Sequence, residues 1–168
     1  MLSLTRTIIA AIVLIIAAIF DIKKQRIPNS LTFPAFFVGL ILMCITDNFQ
    51  TILINIICVL AIFLFGATGI LGLGDIKLLM ALTVLYGWSS TLLSFALASV
   101  ILLIFTSFVN PVETWIYITK FFRRIRREKV PFNKKATKYV FAPFLLFGAV
   151  ITFIFVDTNG PQLFFKMI

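Results

Sequence analysis

The 168-residue chain has no histidine, two cysteines and six acidic residues. Each shortage removes a class of chemistry. Without histidine there is no Ser-His-Asp or Cys-His nucleophilic site and no imidazole metal ligand. Cys44 and Cys58 lie in apolar stretches without Cys-x-x-Cys spacing, so neither a zinc cluster nor a disulfide framework is supported. Both read as small buried hydrophobes. Charged residues make up 12% of the chain, against about 25% in soluble domains. Chemistry is left to carboxylates, hydroxyls, lysines and arginines, with no cofactor and no metal expected.

What the chain has instead is apolar length. Hydrophobic residues are 61% of it, 20 of them phenylalanine, and the mean hydropathy is +1.13. A soluble domain of this size cannot hide so much apolar side chain, and a disordered chain needs low hydrophobicity. A membrane helix takes about 20 mostly apolar residues. Six spans are expected, at about 4–20, 31–45, 51–70, 76–87, 91–109 and 139–156. Residues 21–26 follow the first span without a small-x-small cleavage site, so it reads as a retained span and not a signal peptide. Pro28 followed by Asn29 and Ser30 suits a helix start, and Pro34 gently breaks the second span. Glycines at 69, 72 and 74 interrupt the tract before the fourth span, and Gly87-Trp88-Ser89-Ser90 turns the chain between the fourth and fifth. Residues 110–138 are the long polar segment, expected to be a basic loop. The expected fold is therefore an all-α polytopic membrane protein, six transmembrane helices in one bundle, with residues 1–168 forming a single membrane-embedded domain.

The net charge is +9, from 15 Lys and Arg against 6 Asp and Glu. Alternating the six spans puts Lys23, Lys24, Arg26, Lys77 and all the basic residues of 110–138 on one side. Only Arg6 and Lys166 fall on the other. By the positive-inside rule the basic side is cytoplasmic and both termini are outside. A basic chain also suggests a nucleic-acid binder, but that needs a groove with exposed aromatics. The phenylalanines here lie mostly within spans, so no nucleic-acid partner is expected. The 110–138 segment suits contact with anionic lipid headgroups.

Six acids can be weighed singly. Asp47 and Asp157 fall in outside turns and read as solvated. Glu128 sits among arginines as an ion-pair partner, and Glu113, after Asn110-Pro111, reads as a cap or an interfacial group. Asp21 and Asp75 remain. Both lie at the cytoplasmic boundary, one ending the first span and one opening the fourth. Alone, each would read as a helix cap or boundary residue. Brought together in a partly desolvated site, two carboxylates cannot both ionise easily. One then holds a proton near neutral pH, and the pair can activate water and protonate a leaving group. Gly72 and Gly74 could supply positive φ or a close backbone approach beside Asp75. Lys77 is expected to snorkel to the interface, with balancing the charge of Asp75 as the alternative.

Asp21-Ile22-Lys23-Lys24-Gln25-Arg26-Ile27-Pro28-Asn29, Gly72-Leu73-Gly74-Asp75-Ile76-Lys77-Leu78 and Phe141-Ala142-Pro143-Phe144 occur in this order. With the six-span layout they resemble a type IV prepilin peptidase, of the small kind serving Flp or tight-adherence pili. The resemblance implies an aspartic endopeptidase of the bacterial or archaeal cytoplasmic membrane, cutting the basic leader from prepilin or pilin-like precursors at the cytoplasmic face. It makes Asp21 and Asp75 the catalytic pair, with Gly72, Gly74, Lys77, Pro28 and Asn29 as motif support. Pro28 and Asn29 would shape the start of the second span without chemistry of their own. Larger members of that family carry a cysteine-paired insert between the first two spans and also methylate the new N-terminus. This chain lacks the insert, so methyltransferase activity is not expected. Two other readings use the same aspartates: a presenilin-like protease cutting within a membrane span, and a non-enzymatic transporter or structural subunit.

Overall fold

The protein, a computed structural model, is described at residues 2–67, 72–111, 115, 119 and 140–154. Among these residues every regular element is helical: α1 (Leu2–Lys24), α2 (Asn29–Thr46), α3 (Phe49–Ala67), α4 (Leu73–Tyr86), α5 (Trp88–Val109) and α6 (Ala142–Thr152). Four helices are long and apolar enough to cross a membrane, namely α1, α2, α3 and α5. At about 1.5 Å per residue α4 reaches only about 21 Å and α6 about 17 Å.

The outer faces explain the hydropathy. On α1, Ile8, Ile12, Ile15 and Ile19 are each about half exposed, while Ala10, Leu14, Ala17 and Ala18 are buried. A helix apolar both inward and outward is stable only where its surroundings are apolar too, as in a bilayer. The alanines on the inner face let neighbouring helices approach closely, the usual device where lipid gives no hydrophobic drive to associate.

The centre is α4, which packs against α1, α2, α3 and α5. Ile76, Leu78, Leu79, Ala81, Leu82, Thr83, Val84 and Leu85 are all buried, so the helix is covered all round. Its neighbours make room. At Gly39 of α2 a Cβ would lie 3.0 Å from Leu85 Cγ, and at Gly66 of α3 it would lie 2.6 Å from Ile76 Cδ1. The other tight seam joins α5 to α6, where a Cβ on Gly148 would collide with the Ser94 carbonyl oxygen. Beside it Ser94 Oγ donates to Thr152 Oγ1 at 3.1 Å. Gly87, at φ 90, turns the chain from α4 into α5. The half-buried start of α5 is met by the buried Asn55 of α3, whose Oδ1 accepts the Trp88 N–H at 2.9 Å.

Several expectations change. The first helix runs three residues past Asp21 and the fourth begins two residues before Asp75, because the polar ends of these helices continue the hydrogen-bonded spiral beyond the apolar run. Pro34 sits inside α2 without ending it. The 110–138 segment is not wholly a loop, since Pro111, Trp115 and Thr119 are helical; the rest of its basic run, with Glu113 and Glu128, lies outside the described residues, as does Asp157. Cys44 is exposed and Cys58 half-buried, because both sit on helix faces turned away from the core.

Asp47 is not a solvated turn residue. It pairs with Arg6, a side chain in the first turns of α1 that is itself buried. The guanidinium also donates to Thr46 Oγ1 at 2.9 Å, to the Val84 carbonyl at 2.9 Å and to the Leu85 carbonyl at 3.1 Å. The last carbonyls of a helix lack intrahelical partners and carry its negative dipole end. One arginine therefore gathers the start of α1 and the ends of α2 and α4. Arg6→Met leaves a carboxylate and two carbonyls without their donor. Thermal or denaturant unfolding in detergent is expected to show a loss of about 2–4 kcal/mol; an unchanged midpoint would remove the arginine from the list of structural ties.

Candidate active site

Asp21 occupies the last turn of α1, on the face opposite the outward isoleucines, and is 7% exposed. Its Oδ2 accepts the backbone N–H of Ala142 at 2.9 Å. Ala142 is the first residue of α6, and Pro143 occupies the opening turn, where its missing N–H costs nothing. The free N–H groups and positive dipole end of a helix thus meet a buried carboxylate, the arrangement by which helix starts hold anions. This contact joins residues 121 positions apart.

Asp75 lies in the first turn of α4, after the N-cap Gly72, and outside the four long apolar helices. A Cβ on Gly72 would come within 2.9 Å of Asp75 Oδ2, so the carboxylate occupies space that any other residue would fill. Gly72 has φ −65, an ordinary value. The glycine serves close approach and not the positive φ that was the alternative. Gly74 is inside the helix, and its Cβ would meet Ile27 at 3.4 Å in ordinary contact.

The two carboxylates share a cavity of about 420 Å³. One wall is the end of α1 and the following turn, with Asp21, Gln25, Arg26 and Ile27. The facing wall is Gly72 to Asp75, and Val140 and Phe141, ahead of α6, close the cavity. Burial first, and the Asp21 charge second, push the Asp75 carboxyl up to about 6. At pH values below this Asp75 carries a proton. Among the described residues no three His, Cys, Asp or Glu side chains gather as a metal-ligand set.

Of the motif residues, Asp21, Gly72, Gly74 and Asp75 come together around this space. Lys77, Asn29 and Pro28 do not line it. Lys77 Nζ donates to Asn29 Oδ1 at 2.9 Å and lies 5.5 Å from the Phe33 ring centre. It ties the first turn of α4 to the first turn of α2 and forms no ion pair with Asp75, since residues two apart on a helix do not face one another. Pro28, with φ −71 and ψ 139, leads into α2 as its N-cap.

Sequence reasoning passed over Gln25 and Arg26 as site residues. The signal was there: Gln25 is one helical turn beyond Asp21. The Ala142 donor could not be found this way, because a backbone N–H carries no residue identity.

Long apolar helices together with a cavity that holds two carboxylates define a class, a multi-pass helical membrane protein with acid–base equipment at one end. Residues 8–107 match the type IV leader peptidase family, a stretch that includes both Asp21 and Asp75. The chain belongs to that family and is a membrane protease by descent. No curated protein and no solved structure matches it.

The cavity's electrostatics can be tested without any substrate. Asp21→Asn removes the second of the two causes that raise Asp75. Carboxyl titration of ¹³C-labelled protein in detergent is expected to place Asp75 below its starting value of about 6. An unmoved midpoint would mean that the two groups do not sense each other.

Proposed function

We propose that the protein is an aspartic endopeptidase that removes the short basic leader from prepilin or pilin-like precursors at the cytoplasmic face of the membrane. The observation that carries this reading is the pair of carboxylates in one cavity, with Asp75 holding a proton up to about pH 6 and Asp21 fixed by the Ala142 N–H. Family membership supports the substrate class. The uneven distribution of basic residues supports the orientation, with the cavity on the side that carries Lys23, Lys24, Arg26 and Lys77.

The mechanism follows from the two environments. A substrate peptide lies extended between the α1 end and the glycine wall, with its scissile carbonyl between the carboxyl groups. Asp21, as base, takes a proton from the attacking water. Asp75, as acid, protonates the carbonyl oxygen as the tetrahedral intermediate forms. Asp21 then passes its proton to the departing amine as the C–N bond breaks, a hydroxyl of the collapsing diol returns a proton to Asp75, and the pair is regenerated as the acid and amine products leave. The protons belong to the pair, so its pH profile reports joint titration. The basic 110–138 segment is assigned to anionic lipid headgroups and not to the leader, which is itself basic. N-methyltransferase activity has no assigned site in this reading.

Asp21→Asn and Asp75→Asn are each expected to lower processing of a co-expressed prepilin by about 10³-fold or more. Mass spectrometry of the product is expected to place the cut ahead of the pilin's apolar segment; a cut within that segment would favour intramembrane proteolysis instead. Processing by either variant at near the wild-type rate would rule out the pair mechanism.

The pH dependence has a definite sign. Asp75 donates only while protonated, so kcat/KM is expected to fall as pH rises through about 6 and to approach a tenfold loss per unit above it. A flat profile from pH 5 to 8, measured on a synthetic precursor in proteoliposomes, would show that Asp75 is not the acid.

A further inference from the structure

α1 ends in an unusual way. Gln25 is the one non-glycine residue with positive φ among the described residues, at φ 48. Its N–H donates to the Asp21 carbonyl at 2.9 Å, the bond that closes a helix whose next residue turns left-handed. Glycine, or less often asparagine, normally takes that position, because a side chain there crowds the backbone. Here a long side chain occupies it, exposed, on the wall of the cavity that holds Asp21 and Asp75. Strained backbone kept at the edge of a site is a pointer to what the side chain does there.

We propose that Gln25 is a substrate-positioning residue, whose carboxamide pairs with the main chain of the extended peptide next to the scissile bond. The proposal rests on the peptidase reading above and adds a binding contact to it. Three observations agree. The left-handed turn directly follows the helical turn that carries Asp21, so both side chains start from one short segment on the same wall of the cavity. The facing wall, Gly72 to Asp75, stands across a cavity of about 420 Å³, which leaves room for a short stretch of peptide backbone. A carboxamide offers both a donor and an acceptor, matching the N–H and C=O of a peptide unit. An extended peptide at the membrane edge cannot leave these groups unpaired without penalty. An uncharged amide also meets this need without adding another charge beside the carboxylates. Such pairing reads the main chain, so it aligns the peptide without selecting its side chains.

The strain supplies the test. Gln25→Gly relieves the backbone and removes the amide, so a purely structural role and a binding role predict opposite results. The full-length protein in proteoliposomes is assayed on a synthetic precursor containing a basic leader, the cut site and the start of an apolar segment. For Gln25→Gly, KM is expected to rise about tenfold with kcat within twofold, and the melting temperature to stay level or rise. Gln25→Asn, which also tolerates the left-handed turn, is expected to fall between it and wild type because its amide is shorter. An unchanged KM in Gln25→Gly overturns the proposal, as does a loss confined to kcat or one that tracks a fall in melting temperature. Wild-type cleavage that is lost in Asp21→Asn shows that the peptidase reading holds independently. If wild-type protein does not cut the precursor, that reading fails and the proposal fails with it.

Discussion

The hydrogen bond from the Ala142 N–H to Asp21 organises this protein. It brings the opening turn of the last described helix onto the closing turn of the first. A carboxylate buried at a membrane's edge needs partners for its lone pairs, and the start of a helix offers N–H groups that the helix itself cannot use. Joining the first and last described helices here also brings Val140 and Phe141 over the cavity. Without this contact Asp21 would be an ordinary boundary residue, and the space it shares with Asp75 would have no third side.

The opposite end of the structure is tied by the same logic with the charges reversed. Arg6 stands about 22 Å along α1 from Asp21 and gathers the carbonyl ends of α4 together with Asp47. A carboxylate meets helix N–H groups at one end of α1, and a guanidinium meets helix carbonyls at the other. Between them α4 is covered on every side from Ile76 onward, which anchors the half-buried turn that carries Asp75. The burial that holds Asp75 in place is also the main cause of its raised pKa. Packing and the proposed acid role thus have one origin.

How much of this was legible in the residues varies with the kind of signal. The long helices could be read because apolar runs of membrane length are a composition property, and α1, α2, α3 and α5 fall close to their expected places. Asp21 and Asp75 stood out because so few acids exist to choose among. Asp47 was misjudged as a solvated turn residue, while Arg6 was weighed only for the side it falls on; only their meeting across α1 and α2 makes them a pair. For Gln25 the spacing from Asp21 was legible, but its left-handed backbone is invisible in its residue type. The glycines were read as backbone devices, and their neighbours sort the uses: Gly72 clears the Asp75 carboxylate, while positive φ falls to Gly87 and Gln25.

The amino-acid sequence by itself determined that the chain is helical, crosses a membrane several times and carries two acids in the motif contexts of a leader peptidase. The first two follow from local composition and spacing, because a bilayer forces every apolar run to satisfy its backbone within its own helix; the third rests on the resemblance of short motifs. The tertiary structure alone decided that the two acids share one cavity, that a backbone amide holds one of them, and that burial gives the other its proton near pH 6. These depend on groups far apart in the chain, and hydrogen bonding and desolvation act through distance in space, not through position along the sequence.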